Sequence, residues 1–177
     1  MLQFAIHSYV PQRFLDWRCV DNYDREIHRY ILEFKDGFRS ATRRAAEEVS
    51  LLLSAKDRSD MVLVCIPASN KRANDRRYKD FSEQVCNACG AINGFEHIHI
   101  SGHRPKLHNR ITHTISENHN GMVVLDADFF YGRKVLLFDD ITTTNGTARS
   151  FKERMESIGA TVIGCLFLAK TRNMFGD

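Results

Sequence analysis

The chain has 177 residues, is 43% hydrophobic and 27% charged, and carries a formal net charge of +3. This length fits one domain with a sizeable core, and the charged fraction is ordinary for a globular protein. No segment has the ~18 apolar residues of a membrane-spanning helix. The first residues lack the basic leader and the apolar run of a secretion signal. We therefore expect one cytoplasmic domain over residues 1–177, without a membrane partner.

The five cysteines are an odd number and indicate free thiols in a reducing compartment. Cys86 and Cys89 form a single CxxC pair. A zinc ribbon needs a second such pair, which the other three cysteines do not supply. The pair lies in a segment of helical spacing, so we interpret both residues as packing rather than as metal ligands.

The first part of the chain predicts two helices and a strand. Apolar residues recur at helical spacing over residues 24–35, and Asp36-Gly37 then breaks the pattern. Residues 38–54 carry one apolar and one charged face, which is typical of an amphipathic helix. The apolar run at residues 61–66 favours a strand that is covered on both faces.

The middle of the chain alternates between polar stretches and short elements. Residues 67–77 are polar and basic and predict a loop, after which residues 78–89 return to helical spacing. Residues 95–100 alternate between polar and apolar and predict a strand. Residues 101–121 are polar and contain four histidines, so we expect a long loop there with at most one helical turn.

The last third of the chain completes an alternating pattern of strands and helices. Strands are predicted at residues 121–126, 134–139 and 161–169, and a helix at residues 148–159. Strands that alternate with helices of ten or more residues imply right-handed βαβ units. The predicted fold class is therefore α/β, with a mostly parallel twisted sheet flanked by helices. In such sheets, ligands bind outside the carboxyl ends of the strands.

One segment, VLLFDDITTTNGTARSF at residues 135–151, carries more polar chemistry than a helix cap requires. A single Asp or Thr after a strand is a common N-cap and satisfies one or two backbone donors. Here Asp139 and Asp140 are followed by four threonines, Asn145 and Gly146. A loop that leads into a helix N-terminus binds phosphate through free N–H groups, and a glycine lets the backbone approach closely.

The two acids indicate a second kind of group in the same ligand. They cannot face a phosphate, but they can accept hydrogen bonds from vicinal hydroxyls, as an acidic residue does for ribose in dinucleotide folds. The loop lacks a lysine and the GxxxxGK[ST] pattern, so a nucleoside-triphosphate P-loop is not indicated. A phosphate cradle next to a diol clamp describes a site for a ribose 5-phosphate.

The stretch VLLFDDITTTNGT resembles the thirteen-residue phosphoribosyl-pyrophosphate (PRPP) motif of the type I phosphoribosyltransferases. Asn145 stands where that family often has a glycine, and Asn tolerates left-handed backbone geometry. The segments YILEFKDG, IPASNKR, RRYKDFSEQV and FLAKTR are similar to the ComF-like, amidophosphoribosyltransferase-like branch. Arg77 and Lys79 replace a glycine and an asparagine of that branch, and Cys19 stands alone where it often carries a zinc ribbon.

The resemblance implies a type I phosphoribosyltransferase fold with a small hood, and a glycosyltransferase that binds PRPP with Mg²⁺. Such an enzyme transfers ribose 5-phosphate to a nitrogen nucleophile, for example a nucleobase, and releases pyrophosphate. Asp139 and Asp140 would be the catalytic acids, and Mg²⁺ would reach them only through PRPP or water. The residues expected to bind the ribose phosphate are Asp139, Asp140, Thr142, Thr143, Thr144, Asn145, Gly146 and Thr147.

The resemblance also assigns roles to three other regions. The pyrophosphate loop after residues 61–66 would act through Ser69, Asn70, Lys71 and Arg77. Residues 101–121 would be a flexible loop that closes over the reaction, with Arg104, Lys106 or Arg110 touching pyrophosphate. Its histidine spacings match no familiar metal-ligand pattern. Residues 1–35, expected to be a helical N-terminal part, and the segment after Ala169 would form the hood that selects the acceptor.

A second class of function stays open at the level of sequence. The chain could be a non-catalytic PRPP- or nucleotide-binding protein, or an accessory protein of DNA uptake of the ComF type. The arginine-rich stretches 39–44 and 71–77 would allow contact with nucleic acid. No aromatic-interleaved basic patch or helix-turn-helix pattern supports that contact. The expected partners are PRPP and an acceptor, and the expected assembly is a homodimer.

Overall fold

A computed structural model describes residues 1–55, 57–101, 116–118 and 121–175. The first half contains β1 (Leu2–Tyr9), a 3₁₀ turn (Gln12–Phe14), α1 (Asn22–Lys35), α2 (Arg39–Leu53), β2 (Met61–Cys65), α3 (Lys71–Asn74), a π-helical turn (Asp75–Lys79) and α4 (Asp80–Cys89). The second half contains β3 (Ile92–Asn93), a 3₁₀ turn (Phe95–His97), β4 (Ile98–Ser101), β5 (Ser116–Asn118), β6 (Gly121–Leu125), α5 (Ala127–Phe130), β7 (Lys134–Thr142), α6 (Gly146–Ser157) and β8 (Thr161–Thr171). None of the helices in these ranges is long and apolar enough to cross a membrane.

The strands form two sheets. Within the described residues, five strands make a parallel sheet in the order β1-β8-β7-β2-β3. The strands β4, β6 and β5 pair antiparallel in a small second sheet. The predicted α/β class, with a mostly parallel sheet flanked by helices, is confirmed. Because the five parallel strands run in one direction, their carboxyl ends meet at a single edge.

Helices cover both faces of the parallel sheet. On β2, Leu63 lies in a buried cluster with α1, α2 and α4, whereas Val62 and Val64 lie in a second cluster with α5, α6 and the small sheet. This alternation is the two-residue period of a strand. All five residues of β2 are buried, which explains why the run MVLVC is apolar throughout.

Helix α1 begins and ends at residues with suitable capping chemistry. Asp21 accepts a hydrogen bond from the N–H of Asp24, and Asp24 accepts one in return, which forms a capping box. Gly37 follows the helix with a φ of 71°, the left-handed geometry that glycine adopts without strain. A Cβ at Gly37 would lie 2.6 Å from the carbonyl oxygen of Arg76, so this glycine also lets the α1–α2 corner pack on the π-helical turn.

The predicted loop at residues 67–77 is mostly helix. Asn70 accepts a hydrogen bond from a backbone N–H three residues on, at 2.9 Å, and the helix begins at Lys71. From there α3, the π-helical turn and α4 follow one another without a break. The loop prediction was wrong beyond Asn70 because the exposed side of this helix is polar and its buried residues, Asn74 and Tyr78, are few.

The sequence patterns do not predict β1 and α5. β1 pairs with β8, so residues 1–35 are a strand followed by a helix and not helical throughout. The one-turn helix α5 is capped by Asp126, which accepts from the N–H of Phe129. The strand predicted at residues 95–100 begins only at Ile98, after a 3₁₀ turn.

Much of the predicted flexible loop falls where the structure gives no description. Residues 102–115 and 119–120 lie outside the described residues. Ser116–Asn118 pairs antiparallel with β6, so this part of residues 101–121 is strand rather than loop.

Candidate functional site

The candidate site lies at the carboxyl edge of the parallel sheet, around the central strand β7. β7 pairs with β2 on one side and with β8 on the other. Asp139 and Asp140 lie inside β7, which continues to Thr142 before a short loop leads into α6. The acids are therefore held by strand hydrogen bonding, whereas the sequence pattern ends the strand at Asp139.

The loop between β7 and α6 uses its own side chains to hold its shape. Thr142 donates its hydroxyl hydrogen to Oδ1 of Asn145 at 2.6 Å, and the N–H of Asn145 donates to Thr142 Oγ1 at 3.2 Å. Asn145 has a φ of 60°, the left-handed geometry expected of an asparagine at this position. Its side chain makes no capping bond to α6, so within the described residues the first N–H groups of that helix lack a side-chain cap.

Open space lies in front of the start of α6. A Cβ built on Gly146 would meet only Thr144 Oγ1 within 4 Å, at an ordinary 3.6 Å. Gly146, Thr147 and Ser150 line a cavity of about 320 Å³ that also reaches Pro67, after β2. This volume is at the lower end of the range for small-molecule sites. Uncapped N–H groups beside a cavity are suited to an anion such as phosphate.

Asp140 is buried and paired with two cations. Its Oδ2 accepts from Arg77 Nη1 at 2.6 Å, and its Oδ1 accepts from the backbone N–H of Ile141 at 2.6 Å. The ammonium of Lys35 lies 3.9 Å from Oδ1. The Asp140 side chain is 6% exposed and that of Arg77 is 17% exposed, so water screens this ion pair weakly.

Asp139 is half-buried and has different partners. Its Oδ1 accepts from the hydroxyl of Tyr78 at 3.2 Å and from the backbone N–H of Asp140 at 2.8 Å. Burial, and then the charge of Asp140, raise the pKa of the Asp139 carboxyl to about 7. Tyr78 is fully buried, and burial raises the pKa of its hydroxyl well above the ordinary value. The hydroxyl therefore stays protonated and remains a donor to Asp139.

The residues after β2 are held in place by Asn74, which sequence patterns do not single out. Asn74 is 6% exposed and accepts a hydrogen bond from the N–H of Ala68 at 3.0 Å. Ser69 Oγ accepts a hydrogen bond from the Asn70 amide at 3.4 Å. Lys71 pairs with an aspartate one turn on, at 2.7 Å, but its side chain is 72% exposed, so this lysine can turn to a ligand at low cost.

The four residues assigned to pyrophosphate by resemblance lie in two successive parts of the chain. Ser69, Asn70 and Lys71 lie at the start of α3, whereas Arg77 lies in the π-helical turn with its guanidinium against Asp140. The three basic residues of the predicted flexible loop lie outside the described residues: Arg104, Lys106 and Arg110. Among the residues that are described, no group of three His, Cys, Asp or Glu could hold a metal ion.

Residues from the first and last parts of the chain contact each other. The guanidinium of Arg172 donates to both carboxylate oxygens of Asp24, at 3.2 and 2.8 Å. Thr143 and Thr171 share a hydrogen bond between their hydroxyls at 3.0 Å. A small cluster of Val10, Phe14 and Val20 packs with Met174. The segments expected to form a hood therefore contact each other near the end of β8.

Comparison with known proteins gives partial sequence similarity. No model of a known protein family matches the chain. A protein of Symbiobacterium thermophilum is 31% identical over 83 residues, which cover 47% of this chain and 49% of that protein. A protein of Nitrosococcus oceani is 28% identical over 130 residues, which cover 64% of this chain and 76% of that protein. Both are adenine phosphoribosyltransferases. The chain thus spans about half of the length of the Symbiobacterium thermophilum protein.

A solved structure gives a weaker likeness. The adenine phosphoribosyltransferase of Thermoanaerobacter pseudethanolicus has a TM-score of 0.48 at 17% identity, over 75% of this chain and 70% of that chain. The similarity in sequence, and not this superposition, connects the chain with phosphoribosyltransferases. The branch of that family suggested by YILEFKDG and FLAKTR is not reflected in the two relatives, which are both adenine enzymes.

Proposed function

We propose that this protein is a phosphoribosyltransferase that binds PRPP and transfers its ribose 5-phosphate to a nitrogen nucleophile. One observation carries the proposal: strand β7 carries two adjacent carboxylates, and an uncapped helix N-terminus with open space at Gly146 follows it. The first feature suits a phosphate and the second suits vicinal hydroxyls, and a ribose 5-phosphate has both. Sequence similarity to two adenine phosphoribosyltransferases supports the same chemistry.

The proposed reaction depends on positioning and charge. Residues 142–147 hold the 5-phosphate, and Asp139 and Asp140 serve the ribose hydroxyls. The bond from the anomeric carbon to pyrophosphate breaks as an oxocarbenium-like cation develops, and the acceptor nitrogen then bonds to that carbon. The leaving pyrophosphate goes to Ser69, Asn70 and Lys71, while Nη1 of Arg77 holds Asp140. The protein supplies orientation and electrostatic stabilisation rather than a covalent nucleophile.

The acids suit a Mg²⁺ ion that arrives with PRPP. Two adjacent carboxylates provide oxygen ligands, but both oxygens of Asp140 already accept hydrogen bonds. Such a donor set suits a hard cation whose other ligands are mostly pyrophosphate oxygens and waters. It suits an ion held by protein alone less well. Asp139 would hold that ion through water or through the ribose hydroxyls. When bound, Mg²⁺ offsets negative charge on the departing pyrophosphate.

The acceptor in this proposal is a nucleobase, and adenine is the first choice because both relatives are adenine enzymes. The hood that selects it would be built from the cluster of Val10, Phe14, Val20 and Met174. Residues 1–177 would work as one domain of a cytoplasmic homodimer. Residues 101–121 would close over PRPP and bring Arg104, Lys106 or Arg110 to the pyrophosphate.

The alternative of a nucleic-acid-binding accessory protein has less support. Its basis was two arginine-rich stretches, but many of their cations are already paired within the protein. Arg44 contacts Glu26 and Glu48 at 2.9 and 3.0 Å, and Arg77 contacts Asp140. Phosphate contacts make DNA affinity fall steeply with salt. A measured DNA affinity with a steep salt slope, together with no PRPP binding, would favour this alternative.

The deciding experiment measures pyrophosphate release from PRPP and Mg²⁺ across a panel of nucleobases, with calorimetric titration of PRPP alone. Release with one base, together with PRPP binding, supports the transferase. PRPP binding without release from any base supports a binding protein that does not turn over. If PRPP does not bind, the proposal is wrong. A matched control is Glu153→Gln, an exposed change on α6 that should alter neither measurement.

A further inference from the structure

Two consecutive residues of one helical turn hold the two acids of β7. Arg77 contacts Asp140 and Tyr78 contacts Asp139. Consecutive side chains of an α-helix point about 100° apart, so they rarely reach the same strand end. Here both lie in the π-helical turn Asp75–Lys79. A π turn shifts the register of a helix and is frequent at functional sites.

The π-helical turn is fixed against the corner between α1 and α2. A Cβ on Gly37 would lie 2.5 Å from Arg76 Cγ, so the corner and the turn are in close contact. Arg76 also pairs with Asp36 at 3.5 Å. Tyr78 is fully buried and packs edge-on against Phe138 of β7, with ring centroids 6.3 Å apart. Side chains held in this way keep one rotamer, which a precise binding site requires.

Each acid accepts two hydrogen bonds from described residues, but the bonds are distributed differently over the two carboxylate oxygens. Both oxygens of Asp140 accept hydrogen bonds, and its side chain is 6% exposed. On Asp139, two donors share Oδ1. No hydrogen bond from any described residue reaches Oδ2 of Asp139, and this side chain is less buried than that of Asp140.

We infer that the two acids have unequal roles. Asp140 is the countercharge that fixes the strand end through Arg77, and Asp139 presents its Oδ2 to a ribose hydroxyl. In this inference Tyr78 and Arg77 are positioning residues, because each holds one carboxylate in place through a direct hydrogen bond. This inference rests on the proposed function and narrows its ribose contact from both acids to Asp139.

The test for Tyr78 compares four ligands that share a phosphate. Wild-type and Tyr78→Phe proteins are titrated with inorganic phosphate, with ribose 5-phosphate, and with its 2-deoxy and 3-deoxy forms. The loss of one hydrogen bond to a carboxylate should weaken ribose 5-phosphate binding about tenfold. Phosphate affinity should stay unchanged, since phosphate occupies only the loop at Gly146. The ratio of the affinity for ribose 5-phosphate to the affinity for at least one deoxy form should fall by the same factor.

A matched control separates positioning from a general loss of packing. Tyr30 is also buried, 3% exposed, and its hydroxyl donates to Glu48 at 2.9 Å. Tyr30→Phe therefore removes the same kind of bond on α1 and should leave all four ligand affinities unchanged. For Arg77, Arg77→Gln should weaken ribose 5-phosphate binding and Arg77→Lys should restore part of it. Lys79→Gln, which removes an exposed charge from the same turn, should have no effect.

A double-mutant cycle decides the inference. Once Asp139→Ala has removed the carboxylate, Tyr78→Phe should change ribose 5-phosphate affinity by less than twofold. Independent effects of the two changes would overturn the positioning role. So would a Tyr78→Phe protein that still discriminates between ribose 5-phosphate and its deoxy forms as the wild type does. Either outcome would leave the proposed function standing. If the wild type binds none of the sugar phosphates, both the inference and the proposed function are wrong.

Discussion

The segments that follow β7 and β2 leave adjacent parallel strands at the same edge, but they differ in whether a side chain caps the helix that follows. After β7, the loop residues bond to each other through Thr142 and Asn145, and the start of α6 has no side-chain cap. After β2, Asn70 caps the helix and Asn74 fixes the turn before it. The first segment keeps donors available at a cavity, whereas the second satisfies its own donors.

This difference separates the groups available to a ligand from the groups that hold the site together. Binding strength comes from groups that gain a partner only when the ligand arrives. The start of α6 has such groups, and the exposed Lys71 can join them. Arg77 Nη1 and the Tyr78 hydroxyl, in contrast, already donate to Asp140 and Asp139. A basic or polar residue near the site is therefore not evidence of ligand contact by itself.

The largest expected effect comes from filling the space at the start of α6. Gly146→Val places methyl groups where the anion would sit, and it should lower affinity for ribose 5-phosphate at least ~100-fold, because several charge-assisted bonds worth ~1.5–3 kcal/mol each are lost together. The unfolding midpoint should change little, since a Cβ at this position meets only Thr144 Oγ1 at 3.6 Å. Calorimetric titration measures the affinity. An unchanged affinity would show that this loop does not bind the phosphate.

The second largest expected effect is the loss of stability when the Asp140 carboxylate is removed. A carboxylate at a strand end is expected from sequence to contribute little to the core, but Asp140→Ala leaves the buried guanidinium of Arg77 without its partner. The expected loss is ~3–5 kcal/mol in the free energy of unfolding, measured by urea denaturation. The matched control is Asp60→Ala, because Asp60 pairs with Lys134 at the same 2.6 Å in an exposed position. That change should cost below ~1 kcal/mol, and equal losses would contradict the distinction.

Asp139 should give the free protein a measurable pH dependence. Its pKa is about 7 in the folded protein, against an ordinary value of 3.8. Between these values the folded state holds a proton that the unfolded chain has lost, so stability falls as pH rises from about 4 to about 7. Asp139→Asn should remove this part of the slope of unfolding free energy against pH, measured by urea denaturation at a series of pH values. An identical slope in both proteins would refute the raised pKa.

The smallest expected effect separates binding of the pyrophosphate of PRPP from binding of its 5-phosphate. Lys71→Gln removes an exposed pair with Asp75 and should change the free energy of unfolding by less than ~0.5 kcal/mol. It should weaken PRPP binding and leave ribose 5-phosphate binding unchanged, because only PRPP has pyrophosphate. Arg72→Gln, an exposed neighbour on α3, serves as the control. Equal weakening of both ligands would remove Lys71 from the pyrophosphate assignment.

The parts of the site that sequence could predict are those whose chemistry is local. The run from Asp139 to Thr147 contains its strand, its turn and its helix start in one stretch, and the left-handed Asn145 follows from residue type. The partners of the acids could not be predicted in this way, because Arg77 and Lys35 are distant in sequence. The segment YILEFKDG did mark Lys35 and Gly37, but only the structure shows that they pack beside the π-helical turn.

The same limit applies to the fold. The strand β2 could be predicted because its five buried residues are apolar on both faces. β1 could not, because Leu2 and Phe4 stay exposed at 78% and 51% and its pattern lacks a regular alternation. The π-helical turn left no signal either, since its residues are nearly all polar. Its geometry depends on contacts with Gly37 and with β7.

The position of β8 in the sheet has a consequence for how the chain folds during synthesis. β8 lies between β1 and β7, and Leu2 is paired with Gly164. Pairing between such distant residues gives a high contact order, which slows folding. β1 leaves the ribosome early but has no partner until β8 follows, and an unpaired strand with exposed apolar side chains is a template for aggregation. Changes in β8 should therefore reduce the yield of soluble protein before they affect the stability of molecules that have folded.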